Sequence, residues 1–177
     1  MARISTLLLS TVLLAACVWR DPDAFVAPED ARGTIAVSAR LACAIADRTG
    51  AIECWGNSFL SPMRVSDFEG VQSLALGGPQ VGFAVLWDGS VAEIRTDFGG
   101  ADPGPAMDGV YDLSVGRERA CALLGDGDAN CWETPGQSPS AVEGVSGAVR
   151  ISVAPRNDEA CAVMEDGTVR CWSWDEA

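Results

Sequence analysis

Apolar residues in this chain come in short alternating runs. Ile35/Val37, Leu74/Leu76, Tyr111/Leu113/Val115 and Val149/Ile151/Val153 each place apolar side chains two residues apart. That spacing turns one face of a β-strand toward a core. A loop follows each run, at 38–42, 77–82, 116–120 and 154–160. Then comes an apolar–turn–apolar segment that reads as a hairpin. Three of its turns are Trp87-Asp88-Gly89, Gly125-Asp126-Gly127 and Glu165-Asp166-Gly167. A type I turn closed by a left-handed glycine gives a three-residue hairpin loop with a bulge. Proline-containing stretches at 61–65, 103–107 and 139–142 come next. The residues after each proline can form a short edge strand, where proline is tolerated. Beyond the N-terminal apolar run no segment carries a helical stripe, so the rest of the chain is expected to be all-β.

The runs belong to a repeat. Cys43-Ala-Ile, Phe83-Ala-Val, Cys121-Ala-Leu and Cys161-Ala-Val start equivalent hairpins, at steps of 40, 38 and 40 residues. A period near 40 marks a propeller or solenoid rather than one conventional globule. The expected fold is a propeller-like array of four short repeats over 33–177, forming a partial or small β-propeller.

The same register pairs the cysteines. With a three-residue turn, Met164 faces Thr168 and Cys161 faces Cys171, and the same count sets Cys121 opposite Cys131. The first repeat has a four-residue loop, Asp47-Arg48-Thr49-Gly50, and one more residue between its cysteines. The two differences cancel, and Cys43 still faces Cys54. Directly opposed strand positions bring Cβ atoms close to disulfide distance, so each hairpin is expected to carry one disulfide staple. Zinc sites prefer C-x₂₋₄-C spacings with four ligands, often including histidine, so no metal is expected. Phe83 and Glu93 stand in the cysteine positions of the second repeat. Phe83 is expected to bury its ring and Glu93 to reach the rim or pair with a neighbouring charge.

Charge and composition remove several functions. The net charge is −13, without a Lys/Arg cluster, which argues against nucleic acid. There is no histidine, so the usual triad and most catalytic zinc sites are missing. No cofactor is implied. An enzyme would have to work with carboxylates, for which glycoside hydrolysis needs two converging at about 5–9.5 Å.

The first 17 residues hold one arginine, then an apolar run from Ile4 to Ala16, too short to span a bilayer. The run ends Leu14-Ala15-Ala16-Cys17. This resembles the lipobox of bacterial lipoproteins and implies lipidation of Cys17 after export. The six other cysteines then form three pairs in a compartment where disulfides persist. Residues 18–32 read as a polar tether. The location implied is the cell envelope, at the outer membrane, since Val18 rather than Asp follows the cysteine.

The segment from Val110 to Trp132 reads Val-x-x-Leu-x-Val-Gly-x-x-x-Ala-Cys-Ala-Leu-Leu-x-Asp-Gly-x-x-x-Cys-Trp. It resembles the repeat of the regulator of chromosome condensation family, in its exported bacterial version. Cys54-Trp55-Gly56-Asn57 and Gly136-Gln137 keep further pieces of that pattern. The resemblance covers about 33–177 and implies β-propeller blades. It departs from the family where Glu133 and Ser173 follow Trp132 and Trp172 in place of glycine. Family domains also carry more and longer blades, so one copy cannot build the family's ring. Either the four blades curl into a partial propeller or chains assemble. The family's nucleotide-exchange activity does not carry over, because none of its functional residues is matched. The resemblance does imply that such a fold can serve purely as a protein binder.

Loops on a rigid β scaffold are where function is expected. Arg117, Glu118 and Arg119, with Arg156, Asn157, Asp158 and Glu159, occupy such loops. Trp87 sits at a turn tip, where burial is difficult. Trp87, Arg117, Arg119 and Arg156 are the candidate binding residues. Trp55, Trp132 and Trp172 fall on the strand face opposite the disulfides and are expected to pack between blades. The function these residues support is a lipid-anchored envelope protein that binds an unknown protein partner, without catalysis. The alternatives are a carboxylate-dependent envelope enzyme or glycan binder, and a self-associating structural repeat protein.

Overall fold

The computed structural model describes residues 35–174, apart from 47, 57–58, 66–68, 79–80, 96–99, 137 and 157–158. The expected signal segment, tether and Cys17, together with Asn157 and Asp158, lie outside the described residues. The described chain forms four antiparallel sheets, each a meander. Blade I holds β1 (Ile35–Val37), β2 (Leu41–Ile45), β3 (Ile52–Gly56) and β4 (Phe59–Arg64). Blade II holds β5 (Val71–Leu76), β6 (Val81–Leu86), β7 (Val91–Arg95) and β8 (Gly100–Pro103). Blade III holds β9 (Val110–Val115), β10 (Arg119–Leu124), β11 (Ala129–Glu133) and β12 (Ser140–Ala141). Blade IV has three strands, β13 (Ala148–Val153), β14 (Glu159–Met164) and β15 (Val169–Ser173). This is the all-β, four-repeat, propeller-like array that the period implies.

The hairpin registers agree with the cysteine count. Cys43 pairs with Cys54, Cys121 with Cys131 and Cys161 with Cys171, each directly across a hairpin and joined by a disulfide. The turns close as expected: the Met164 amide donates to the Thr168 carbonyl at 2.9 Å. Asp88, Asp126 and Asp166 brace three turns by accepting the amide two residues on, at 2.9, 3.0 and 2.9 Å. These aspartates are therefore turn residues.

Two expectations need correction. The outer strands do not simply follow the prolines: β4 runs through Pro62, and β8 ends at Pro103. Both lie on a sheet edge, where the missing amide hydrogen costs no ladder bond. The alternation in the inner strands is also interrupted. β5, β9 and β13 each carry a bulge near their start. A bulge moves the neighbouring side chain to the other face. Tyr111 consequently leaves the face of Leu113 and packs toward blade IV, where its hydroxyl donates to the Ala148 carbonyl at 2.8 Å.

Each blade has two distinct faces, and the core is made where they meet. The forward face carries the cysteine pair and the apolar pair beside the turn. The backward face carries small residues, chiefly alanine, with a larger residue near the second cysteine. Cys43, Ile45, Ile52 and Cys54 of blade I pack on Leu74, Ala84 and Ile94 of blade II. Phe83, Val85 and Val91 pack on Val115, Ala120, Ala122 and Trp132 of blade III. Cys121, Leu123 and Ala129 pack on Ile151, Ala160 and Ala162 of blade IV. Small residues on one side admit branched residues from the other, the interdigitation that dense packing needs. Backbone bonds repeat at these junctions. Val110 and Ala148 donate to the Gly89 and Gly127 carbonyls of the preceding blade, both at 3.0 Å.

Candidate functional site

In a meander, the loops after the inner strands share one end of the array and the hairpin turns share the other. The inner-strand loops of all four blades converge on a concave cleft of about 750 Å³. Val37, Leu76 and Val115 form part of its apolar floor. Arg40, Arg117 and Arg156 stand around it, one each from blades I, III and IV, and all three are exposed. No carboxylate is among its described lining residues. Three guanidinium groups thus gather at one end of a chain whose net charge is −13. Glu118 lies just outside, 3.7 Å from Arg117 Nε, and both side chains are mostly exposed. Such a solvated pair is weak and leaves the guanidinium able to exchange partners.

Glycine makes the convergence possible. A Cβ at Gly116 would meet the Ala154 carbonyl oxygen at 2.6 Å and a Val153 methyl at 2.9 Å. Gly77 stands in the same relation to Gly116, and the Gly78 amide donates to the Gly116 carbonyl at 3.1 Å. The inner-strand ends therefore pack nearly backbone to backbone, which draws their loops together.

Of the residues singled out from the sequence, Arg117 and Arg156 meet in this cleft. Arg40 joins them and was missed. A comparison of equivalent loops would have found it, since Arg40, Arg117 and Arg156 all lie between an inner strand and the first cysteine. Arg119 does not belong to the group. It is the first residue of β10, directly opposite Glu133, and its Nη2 donates to Glu133 Oε1 at 2.8 Å. Its guanidinium also lies 4.8 Å from the Trp174 ring centroid. Trp87 remains 60% exposed but lies at the other end of the array, beside Gly70. The structure thus separates Trp87 from the arginine cleft.

Phe83 is buried, with its ring edge-on to Trp132 at 5.4 Å between centroids. Trp132 itself is buried, as expected for a residue packed between blades. Glu93 is half-buried near these rings and Pro103, Pro105 and Pro139. Among the described residues no three His, Cys, Asp or Glu side chains are grouped so as to hold a metal ion.

Among the described residues, two turn carboxyl groups are clearly shifted. Asp88 is held below its ordinary value of 3.8 by the Ser90 hydroxyl and amide. Asp166 is lowered in the same way by Thr168, with a smaller contribution from Arg170. Both stabilise the charged form by hydrogen bonding at fully exposed positions. Neither is the raised carboxyl that a general acid requires.

No protein-family model matches the chain. No curated protein matches it by sequence. Its fold does match solved structures. Yeast RCC1 (Prp20), in a crystal structure bound to Kap60, is 13% identical with a TM-score of 0.64, over 80% of this chain and 43% of that one. BamB from Moraxella catarrhalis is 16% identical with a TM-score of 0.62, over 82% and 45%. The computationally designed Ika4 protein is 16% identical with a TM-score of 0.59, over 78% and 88%. The chain spans less than half the length of the Prp20 and BamB chains it matches. At these identities the likeness concerns fold alone, and that fold is an array of β-propeller blades.

Proposed function

We propose that this chain is an exported envelope protein, anchored at the outer membrane through lipidated Cys17, whose blade array binds an acidic segment of another protein. The reading involves binding and no reaction. The observation that carries it is the cleft lined by Arg40, Arg117 and Arg156. Guanidinium forks match carboxylates in bidentate pairs. Loops held on a rigid scaffold are suited to such recognition. A chain of net negative charge disfavours acidic partners over much of its surface, so a basic patch favours docking at this end. Prp20, which shares this fold, was crystallised bound to another protein, Kap60. The lipid anchor rests on the sequence Leu14-Ala15-Ala16-Cys17.

The test is cross-linked capture from native envelope extract. The bait is 18–177 with intact disulfides, beside the double variant Arg117→Glu/Arg156→Glu. One protein should be recovered, cross-linked through an Asp/Glu-rich segment to the cleft loops, and lost with the double variant. Equal recovery by both baits, or cross-links centred on Trp87, would overturn the choice of face. Intact mass of the membrane-extracted protein should show a chain starting at acylated Cys17. A soluble chain without acyl groups would remove the anchor.

A further inference from the structure

Among the described residues, the outer faces of blades I and IV leave apolar side chains exposed, and each face has the shape that the other would cover. The two apolar residues beside the hairpin turn are Ile45/Ile52 in blade I, Val85/Val91 in blade II and Leu123/Ala129 in blade III. All six are at most 7% exposed, because the next blade covers them. Their counterparts in blade IV are Val163 and Val169, 37% and 61% exposed. On the backward side, the inner-strand residues Leu74, Val115, Ile151 and Val153 are buried against the preceding blade. Their counterparts in blade I are Ile35 and Val37, 58% and 67% exposed. Both end faces thus keep apolar residues at positions that only a neighbouring blade would cover.

The three internal junctions show what covers such faces. In every one, the counterparts of Val163 and Ile35 share a single apolar cluster: Ile45 with Leu74, Val85 with Leu113, and Leu123 with Ile151. Polar detail points the same way. Ser114 Oγ accepts the Val153 amide of the next blade at 2.9 Å. Ser152 is the blade IV counterpart of Ser114, and it is exposed. Ala154 stands where blades II and III need glycine. Blade I carries Ser38 there, so a junction with a side chain at this position already exists in the molecule.

We propose that a second copy of this chain completes the ring. The forward face of blade IV packs on the backward face of blade I of the second copy, and reciprocally. Head-to-tail contacts of this kind close when the rotation closes. Two copies of the four described blades make eight, within the range of about 4–8 for propellers. The two-fold axis then runs along the channel. Arg40, Arg117 and Arg156 of both copies face the same end, so the cleft of one chain is half of the complete site. The Prp20 and BamB chains, more than twice the matched length, agree with an arc of about half a ring.

The test uses 18–177 with intact disulfides in sedimentation velocity across a concentration series. It needs no partner, so its failure leaves the proposed binding function standing. The expected result is a discrete two-copy species. Val163→Lys and Ile35→Glu, both at exposed positions, should each weaken association at least about tenfold. An equimolar mixture of the two variants should restore the dimer. In the mixed ring one junction pairs Lys with Glu and the other is native, whereas each variant alone has two faulty junctions. Intact mass showing three disulfides, with an unchanged circular dichroism spectrum, verifies the fold of each variant. A monomer at every concentration, a growing ladder of species, or a dimer indifferent to both variants would overturn the closed ring.

Discussion

Replacing Gly89 with alanine should loosen the junction between blades II and III, whereas the same change at Gly167 should cost only backbone strain. The two glycines occupy equivalent turn positions, and both have φ +81°. For a residue with a Cβ, the left-handed conformation costs about 1–2 kcal/mol. That component is common to both variants. The surroundings differ. A Cβ at Gly89 would lie 2.8 Å from the Gly109 nitrogen and 2.9 Å from its Cα. Nothing lies within 4 Å of a Cβ at Gly167. Backbone cannot swing aside as a side chain does, so the turn of blade II must retreat from Gly109. Two hydrogen bonds meet there: Val110 amide to Gly89 carbonyl, and Gly125 amide to Gly109 carbonyl, both at 3.0 Å. Losing both adds about 1–3 kcal/mol.

The assay is thermal unfolding of both variants in a Val163→Lys background at low concentration, where the proposed association is weakened. For a chain of this size 1 kcal/mol moves Tm by roughly 2–4 °C. Gly89→Ala should therefore melt roughly 2–12 °C below Gly167→Ala. Equal melting points would show that the inter-blade contact at the turns contributes nothing, and the junction account would fail.

The disulfides offer a second matched pair. Cys121–Cys131 and Cys161–Cys171 have the same sequence separation of 10, so chain entropy assigns each about 2.7 kcal/mol. Only the first is fully buried, so Cys121→Ala/Cys131→Ala should destabilise by about 1 kcal/mol more than Cys161→Ala/Cys171→Ala in urea unfolding, again in the Val163→Lys background. The turn aspartates set an acid limit. Their folded values lie below 3.8, so their contribution is complete above 3.8 and is lost as pH falls through the folded value. Asp166→Asn should therefore flatten stability against pH below 3.8 and leave the slope near neutrality unchanged, while Thr168→Ala should raise the Asp166 titration observed by NMR.

Much of the fold is legible because the repeat ties local register to chemistry. The Asp-Gly turns fix the hairpins, and the hairpins fix which cysteines meet. The same count carried two residues past Cys121 and Cys131 sets Arg119 opposite Glu133. That would have removed Arg119 from the candidate loop cluster. The inner-strand bulges are less legible. A bulge adds one residue to a pattern of period two, and Tyr111 looks in phase with Leu113 although it faces the other way. The cleft is hardest to read, because Arg40, Arg117 and Arg156 are far apart in sequence and meet only through blade stacking.

Repeat II tests whether a missing staple is simply a loss. Phe83 and Glu93 are directly opposed, like the three cysteine pairs, so Phe83→Cys/Glu93→Cys should form a fourth disulfide. The closed loop would match the others and contribute about 2.7 kcal/mol by chain entropy. But Phe83 is only 2% exposed and fills the junction against Trp132. Emptying a buried phenylalanine site costs about 3–5 kcal/mol, of which the two sulfurs recover part. The opposing effects nearly cancel, so the fourth disulfide should leave stability within about 2 kcal/mol of the parent. Urea unfolding, with thiol titration to verify the bond, measures it. A gain near the full entropic value would show that the ring contributes little. A result near zero would show that blade II exchanged a covalent staple for an aromatic contact across the junction, a substitution available because a blade is held by its neighbour as well as by itself.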